Sequence, residues 1–174
     1  VKYAHKIKVY CGIEKDLYTT ESVGGFDYVI GAMHLYKVKD KYYFIDWTKQ
    51  LFMQWVKEVF NGDYYAMAQN YYSLFSDIVE KTNADIIGHI DLITKFNQDY
   101  ELFDENDERY VNAYKMAVDK LIKYNKPFEI NTGAISRGYR TTPYPSKQIL
   151  DYIKERGGKV ILSSDSHSKE GVAF

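Results

Sequence analysis

Residues 159–167 read KVILSSDSH. A short apolar run with β-branched side chains ends here in a carboxylate, Asp165, and an imidazole, His167, two residues later. A strand that ends in this way delivers a metal-binding pair to the open edge of an α/β domain. Apolar runs upstream end in the same manner, at Glu14, His34 and His89. Four apolar runs that each end in a potential metal ligand are hard to explain by packing alone.

The composition is that of a globular domain with a substantial core. The chain has 174 residues, of which 45% are hydrophobic, and a formal net charge of −1. This balance argues against a nucleic-acid surface, which needs clustered Lys and Arg, but allows a small phosphorylated substrate. The single cysteine, Cys11, cannot form an internal disulfide, which indicates a reducing, cytoplasmic setting. No apolar run approaches the roughly 20 residues that span a membrane.

Both termini indicate a piece of a longer protein. The chain begins with Val1 and ends with GVAF at residues 171–174, and no element is predicted after the turn at Asp165. We therefore expect one domain, residues 1–174, that is incomplete at both ends. The 18 tyrosines, many of them in pairs, are interpreted as amphipathic packing, with each ring buried and each hydroxyl near water.

Apolar strands alternate with helices along the chain. The predicted strands are 7–11, 28–30, 84–87, 128–131 and 159–162, with a hairpin or an irregular loop at 37–43. The predicted helices run from a cap at Asp46 to Phe60, from a cap at Asp63 to Lys81, over 106–124, and from Pro145 to Arg156. Short apolar strands covered by helices indicate a parallel sheet. In such sheets functional residues gather at the C-terminal ends of the strands, where every candidate ligand lies.

Histidine and carboxylate ligands without thiolates suit zinc, manganese or iron. When a carboxylate bridges two such ions, they lower the pKa of a bridging water and clamp the attacking and leaving oxygens, which suits phosphoester hydrolysis. Arg137, in the loop after strand 128–131, is placed to bind phosphate oxygens in a bidentate manner. The sequence contains no phosphate-binding loop of the P-loop type, no GxGxxG and no GxSxG.

Each candidate residue also has a simpler interpretation. Either strand-end histidine is equally well explained as a core residue, Glu14 as a solvated loop acid, and Arg137 as half of a surface ion pair. Asp165 and His167 fit a helix cap. These explanations would all have to hold separately at one edge of the sheet, so the combination favours a metal site.

Five short motifs resemble, in order, the polymerase and histidinol phosphatase (PHP) superfamily. They are GIEKD (12–16), YVIGAMH (28–34), GHID (88–91), EINT (129–132) and SDSH (164–167). The stretch 129–146, which ends in YPS, is most similar to the histidinol-phosphatase branch. The resemblance implies a distorted TIM-like (β/α)7 barrel, incomplete here at both ends, with two or three divalent metal ions at the strand C-termini. It implies hydrolysis of L-histidinol phosphate, in histidine biosynthesis, by a metal-bound hydroxide.

The resemblance also implies roles for individual residues. Glu14 matches the bridging carboxylate, and Asp165 is a metal ligand and the residue that holds the attacking hydroxide. The other implied site residues are the metal ligands His34, His89 and His167, the last of them also catalytic, and the substrate contacts Arg137 and Lys95.

One feature departs from the family pattern. Family members open with a His-x-His motif on the first strand, followed by further acidic and histidine ligands, and this chain has none of these; His5 stands alone before a strand. The resemblance therefore predicts an incomplete metal site and little hydrolysis in this chain. Two alternatives stay open. One is another PHP-type phosphoesterase, with a nucleic-acid or other small-phosphate substrate. The other is a non-catalytic domain with a degraded metal site.

Overall fold

A parallel sheet forms the centre of the computed structural model, which describes residues 5–172. The strands are β1 (Gly12–Asp16), β2 (Tyr28–Ala32), β3 (Leu35–Val38), β4 (Lys41–Phe44), β5 (Ile86–Ile87), β6 (Phe128–Asn131) and β7 (Val160–Ser163). Five of them pair in the order β1-β2-β5-β6-β7, and every neighbouring pair is parallel. β3 and β4 form a separate antiparallel hairpin, which confirms one of the two forms expected for 37–43.

Helices connect the strands and cover the sheet. They are α1 (Lys49–Phe60), α2 (Tyr64–Phe75), α3 (Ile78–Thr82), α4 (Glu108–Leu121), α5 (Gly133–Ser136) and α6 (Lys147–Glu155). Short 3₁₀ turns occur at Leu92–Thr94, Gln98–Tyr100, Ile122–Tyr124 and Lys169–Gly171. Within residues 5–172, no helix has both the length and the apolar character that crossing a membrane requires.

The α/β architecture with a parallel sheet is confirmed, whereas a closed barrel is not formed by residues 5–172. In this part of the chain β1 and β7 each have one neighbour and are the two edges of the sheet. The last turn, Lys169–Gly171, follows the Asp165 turn, after which no element was predicted. The domain limits predicted at residues 1 and 174 lie outside the described residues.

The first strand begins later than predicted. Ile7 and Val9, which were expected inside it, are each 60% exposed. Pairing with β2 starts only at Gly12, which lies opposite Tyr28. The backbone N–H of Cys11 instead donates to a carboxylate, Oδ2 of Asp27, at 2.8 Å. The run 7–11 alternates like a strand, but within residues 5–172 it pairs with no strand of the sheet and its apolar side chains stay exposed.

Two helix predictions are corrected by polar side chains near the helix ends. α1 starts after Thr48, whose hydroxyl accepts the N–H of Leu51 at 3.2 Å, so the predicted cap at Asp46 is wrong. The single helix predicted to Lys81 is two helices. α2 ends at Phe75 because the hydroxyl of Ser76 donates to the carbonyl of the preceding turn, a competition with helical hydrogen bonds that is typical of serine.

Aromatic side chains of the helices form much of the core. Tyr71, Tyr72 and Tyr110 are completely buried between α2 and α4, which confirms the packing role predicted for the tyrosines. Their hydroxyls, however, are not all near water. The hydroxyls of Tyr72 and Tyr110 lie 2.9 Å apart and hydrogen-bond to each other. A buried polar group needs such a partner, and here a second tyrosine supplies it.

Two glycines bring β2 and β5 close together just before the site. The N–H of Gly88 donates to the carbonyl of Gly31 at 2.9 Å. A Cβ atom on Gly88 would lie 2.8 Å from that carbonyl oxygen, which is closer than side-chain carbons come to backbone. The glycine therefore lets the chain pass against β2, and His89 follows at the end of β5.

Candidate active site and metal centre

Glu14, on β1, contacts two imidazoles with one oxygen. Its Oε1 lies 3.2 Å from Nε2 of His34 and 3.2 Å from Nε2 of His89. The two imidazole rings meet edge to face, with centroids 5.0 Å apart. His34 follows β2 and His89 follows β5, so three adjacent strands deliver their side chains to one point.

Two further carboxylates hold the histidine backbones in place. Oδ2 of Asp16 accepts the N–H of His34 at 2.7 Å and lies 3.7 Å from its Nδ1. Oε2 of Glu129 accepts the N–H of His89 at 2.9 Å. The sequence reasoning missed both acids as site residues. The available signal was an acid within or at the end of each apolar strand, Asp16 in β1 and Glu129 in β6.

The carboxylates of the cluster favour the protonated, positively charged forms of its two histidines. Burial raises the pKa of Glu14, but hydrogen bonds and charges from His34 and His89 outweigh it and hold the pKa well below its ordinary value. Burial lowers the pKa of His34, yet hydrogen bonds from its ring to the carboxylates of Asp16 and Glu14 outweigh burial and raise the pKa to about 10. The pKa of His89 is also raised, against its burial, by the hydrogen bond with Glu14. The negative charge of the carboxylates can therefore be balanced either by protons on the imidazoles or by a metal ion that replaces those protons.

The donor set fits a divalent metal ion. The ligand atoms of Glu14, His34 and His89 all lie within 4.8 Å of one another. Nδ1 of the buried His89 has no hydrogen-bond partner among residues 5–172, so one nitrogen of the ring is unsatisfied while the other, Nε2, faces Glu14. Two imidazole nitrogens and a carboxylate oxygen suit zinc, manganese or iron.

Arg137, Asp165 and His167 form a second group. Nη2 of Arg137 donates to Oδ2 of Asp165 at 2.9 Å, and Nη1 donates to the Asp165 carbonyl at 2.8 Å. Nδ1 of His167 lies 3.2 Å from Nη1 and 2.9 Å from the same carbonyl. Asp165 has a φ of +45°, in the left-handed region that aspartate tolerates better than most residues. A Cβ on Gly133 would lie 2.9 Å from both Nη2 and Oδ2, so glycine leaves room for this ion pair.

All seven predicted site residues line a single pocket of about 340 Å³. Within it they form two groups. Glu14, His34 and His89 share the three-ligand cluster, whereas Asp165 and His167 bond with Arg137 and do not join that cluster.

Lys95 lies in the wall of the same pocket. Its Nζ donates to the carbonyl of Asp46 at 2.6 Å, lies 3.6 Å from the Asp46 carboxylate and sits 4.8 Å from the centre of the Tyr139 ring. Asp46 and Tyr139 line the pocket too, as do Leu92, Ala134 and Tyr144, and the sequence reasoning named none of the five as site residues.

Comparison with known proteins points to one kind of enzyme. No family model matches the sequence. The chain is 26% identical over 182 residues to the "Probable histidinol-phosphatase" of Schizosaccharomyces pombe, an alignment that covers 99% of this chain and 58% of that protein. The two proteins are homologous. This chain therefore spans less than two thirds of the length of its relative.

A solved structure shares the fold. It is the crystal structure of the "putative histidinol phosphatase" from Listeria monocytogenes, which matches with a TM-score of 0.79 at 19% sequence identity. The match covers 99% of this chain and 68% of that one. At this identity the likeness concerns the fold. The predicted relation to histidinol phosphatases is thus supported by sequence, and the α/β architecture by structure.

Proposed function

We propose that this chain carries the active site of a metal-dependent phosphomonoesterase that hydrolyses L-histidinol phosphate to L-histidinol and phosphate. One observation carries the proposal: a single pocket places a carboxylate and two imidazoles beside a guanidinium and an ammonium group. Homology to a histidinol-phosphatase supports a phosphatase role. The proposal includes a single domain over residues 1–174, a PHP-type barrel to which this sheet contributes, and a cytoplasmic role in histidine biosynthesis.

The ligand residues are proposed as two sets. Glu14, His34 and His89 would hold one divalent ion, and Asp165 and His167 are the proposed ligands for a second or third. Bound ions of zinc, manganese or iron supply Lewis-acid polarisation of a phosphoryl group and a water of lowered pKa. Asp16 and Glu129 contribute by fixing the backbone positions of the histidines, as outer partners of metal ligands commonly do.

Basic residues are proposed to bind the phosphate. A guanidinium has five N–H donors, and Asp165 takes one from each of the two terminal nitrogens of Arg137, which leaves donors for a phosphate oxygen. The ion pair with Asp165 keeps the guanidinium plane fixed at the pocket. Lys95 supplies a second positive charge, which Asp46 holds in the wall.

Metal content and phosphate release test this proposal on the same sample. The chain is stripped with a chelator, reloaded with Mn²⁺ or Zn²⁺, and analysed for bound metal and for phosphate released from L-histidinol phosphate. In the wild type we expect bound metal and a low, metal-dependent release of phosphate, low because the chain lacks the His-x-His ligands. Both are expected to fall in Glu14→Gln but not in Glu21→Gln, which makes the same chemical change at an exposed position.

Two results would contradict the proposal at different points. Bound metal without release of phosphate from this or any other monoester would refute the enzymatic function and leave the metal site standing. A wild-type chain that binds neither Mn²⁺ nor Zn²⁺ would refute both.

A further inference from the structure

The two basic residues that line the pocket of about 340 Å³ (the site pocket) lie on different segments of the chain. Lys95 follows the 3₁₀ turn Leu92–Thr94, after β5. Arg137 directly follows α5, in segment 132–145 between β6 and α6. A phosphate that contacts both groups needs them at a defined separation, because binding depends on how well its partners are placed in advance. Contacts between the segment and the turn therefore decide how well the two cations match one ligand.

Segment 132–145 is closed at its ends. Asn131 and Tyr144 exchange two backbone hydrogen bonds there, of 2.8 and 3.0 Å. Inside the segment, the N–H of Arg140 donates to a carbonyl of α5 at 3.3 Å. The stretch that carries Arg137 is thus held within a compact unit, and a contact that fixes Arg140 also limits the movement of Arg137.

Arg140 connects this segment to the turn that precedes Lys95. Its Nη1 donates to the hydroxyl of Thr94, the last residue of the turn, and its Nη2 donates to the hydroxyl of Thr142, on its own segment, at 3.3 Å. The hydroxyl of Thr94 also donates to the carbonyl of Asp91 at 2.8 Å. Arg140 is only 9% exposed, so these hydrogen bonds are shielded from water. The contact between the two segments lies next to Lys95 in the chain.

Asp91 balances the charge of Arg140 in the interior. Its completely buried carboxylate accepts the N–H of Ser146, at the start of α6, at 2.8 Å. Burial raises the pKa of Asp91, and the positive charge of Arg140 is the largest influence that opposes the rise. The guanidinium also packs on Tyr144, with its carbon 4.6 Å from the centre of the ring. Arg140 is therefore held by charge, by packing and by hydrogen bonds, all of them inside the protein.

We propose that Arg140 is a positioning residue, which sets the separation between Arg137 and Lys95 without touching the ligand. Arg140 is not among the residues that line the site pocket. It lines a different pocket, of about 490 Å³, between segment 97–106 and the start of α6. It shares a segment with Arg137 and hydrogen-bonds to the residue before Lys95. The inference rests on the proposed function, because it concerns how these two cations bind phosphate.

Thr94→Val tests this role without disturbing a charge. The variant keeps the shape of the side chain, removes the hydroxyl that Arg140 contacts, and leaves the charges of Arg140 and Asp91 in place. We expect the affinity of the metal-free chain for inorganic phosphate, measured by titration calorimetry, to fall roughly two- to tenfold, the equivalent of one hydrogen bond. Thr20→Val makes the same change at an exposed position and is expected to leave the affinity unchanged.

Two further measurements separate positioning from a general loss of structure. In an Arg137→Ala background, Thr94→Val is expected to have a smaller effect on phosphate affinity, because the group that it helps to place is gone. The affinity for Mn²⁺ is expected to be the same in Thr94→Val and the wild type. Arg140→Lys keeps the charge but lacks the forked donors, and should weaken phosphate binding at least as much as Thr94→Val. Circular dichroism checks that Arg140→Lys folds, and if it does not, Thr94→Val decides.

Three results would overturn the positioning role and leave the proposed function standing. They are an unchanged phosphate affinity in Thr94→Val, an equal loss with and without Arg137, and a loss of Mn²⁺ affinity that parallels the loss of phosphate affinity. A wild-type chain that binds no phosphate would instead overturn both the inference and the phosphate-binding role proposed for Arg137 and Lys95. Metal loading and phosphate release test the rest of the proposed function separately.

Discussion

Oε1 of Glu14 lies 3.2 Å from Nε2 of His89, although their strands, β1 and β5, are not neighbours in the sheet. β2 runs between them, and its own histidine, His34, completes the contact from the middle. One carboxylate oxygen therefore spans three strands. The position of any ion bound there depends on the order and spacing of those strands. A shift of one strand would therefore change the distances among all three ligands.

Glu14→Gln is expected to reduce the affinity for Mn²⁺ or Zn²⁺ at least tenfold. The amide keeps the shape of the side chain but removes the negative charge that both imidazoles face. Titration calorimetry on chelator-treated protein measures the effect, and Glu21→Gln is the control. Equal affinity in the wild type and Glu14→Gln would show that the ion, if any, binds elsewhere.

The stability of the metal-free chain is expected to fall as pH rises from 6.5 towards about 10. The pKa of His34 is raised from its ordinary 6.5 to about 10, so folding favours the protonated ring. That contribution is complete below pH 6.5 and is lost as pH rises through about 10. Melting temperatures across this range should fall less steeply in His34→Gln than in the wild type. Parallel curves would contradict the assignment to His34.

Arg137→Ala is expected to raise KM for a phosphomonoester more than it lowers kcat. A lost hydrogen bond to a charged group is worth about 1.5–3 kcal/mol, which corresponds to roughly a 10- to 100-fold change in binding. Arg137→Lys should recover part of the loss, since it restores charge without the bidentate geometry. Steady-state kinetics measure both. Arg109→Ala, which removes an arginine paired with Asp63 outside the pocket, is the matched control and should change neither constant.

Tyr72→Phe is expected to destabilise the fold by about 1–3 kcal/mol, because it leaves the buried hydroxyl of Tyr110 without a partner. Tyr110→Phe should do the same from the other side. The double variant should lose less than the sum of the two, since no unpaired hydroxyl remains. Denaturant unfolding of the three variants and the wild type gives the coupling free energy between the two hydroxyls. Additive losses would mean that the hydroxyls do not depend on each other.

Local chemistry at strand ends was predictable from the sequence. His34 and His89 each follow an apolar strand, and parallel strands bring such positions to one edge of the sheet. Glu14 also reaches this point, but from inside β1, because the run 7–11 that was predicted to lead to it stays outside the sheet. The same argument placed Arg137 and Asp165 in the same pocket. It could not show that these two would pair with each other, because side-chain orientation after a strand is set by the loop that follows.

Other features depended on partners that lie far away in sequence. Glu129 belongs to the site because it accepts the backbone N–H of His89. Nearly every residue has a backbone N–H, so the sequence does not indicate which one a side chain will bind. Thr48 and Asp46 lie two residues apart and are both of types that cap helices; in the structure Thr48 caps α1, and the Asp46 carboxylate lies 3.6 Å from Nζ of Lys95, which is distant in sequence. The pocket of about 490 Å³ between segment 97–106 and the start of α6 is lined mostly by irregular loops, where no periodicity guides a prediction.

Within residues 5–172, β1 is an edge strand with a single neighbour, and it carries Glu14. An ion shared with His34 and His89 would tie this strand to two strands further inside the sheet. Ligands that bind only the folded form reduce the fraction of time that a segment spends open. Amide hydrogen exchange in β1 and its cleavage by proteases should then slow as the metal concentration rises. Metal supply would therefore also affect how long the polypeptide lasts before proteases degrade it.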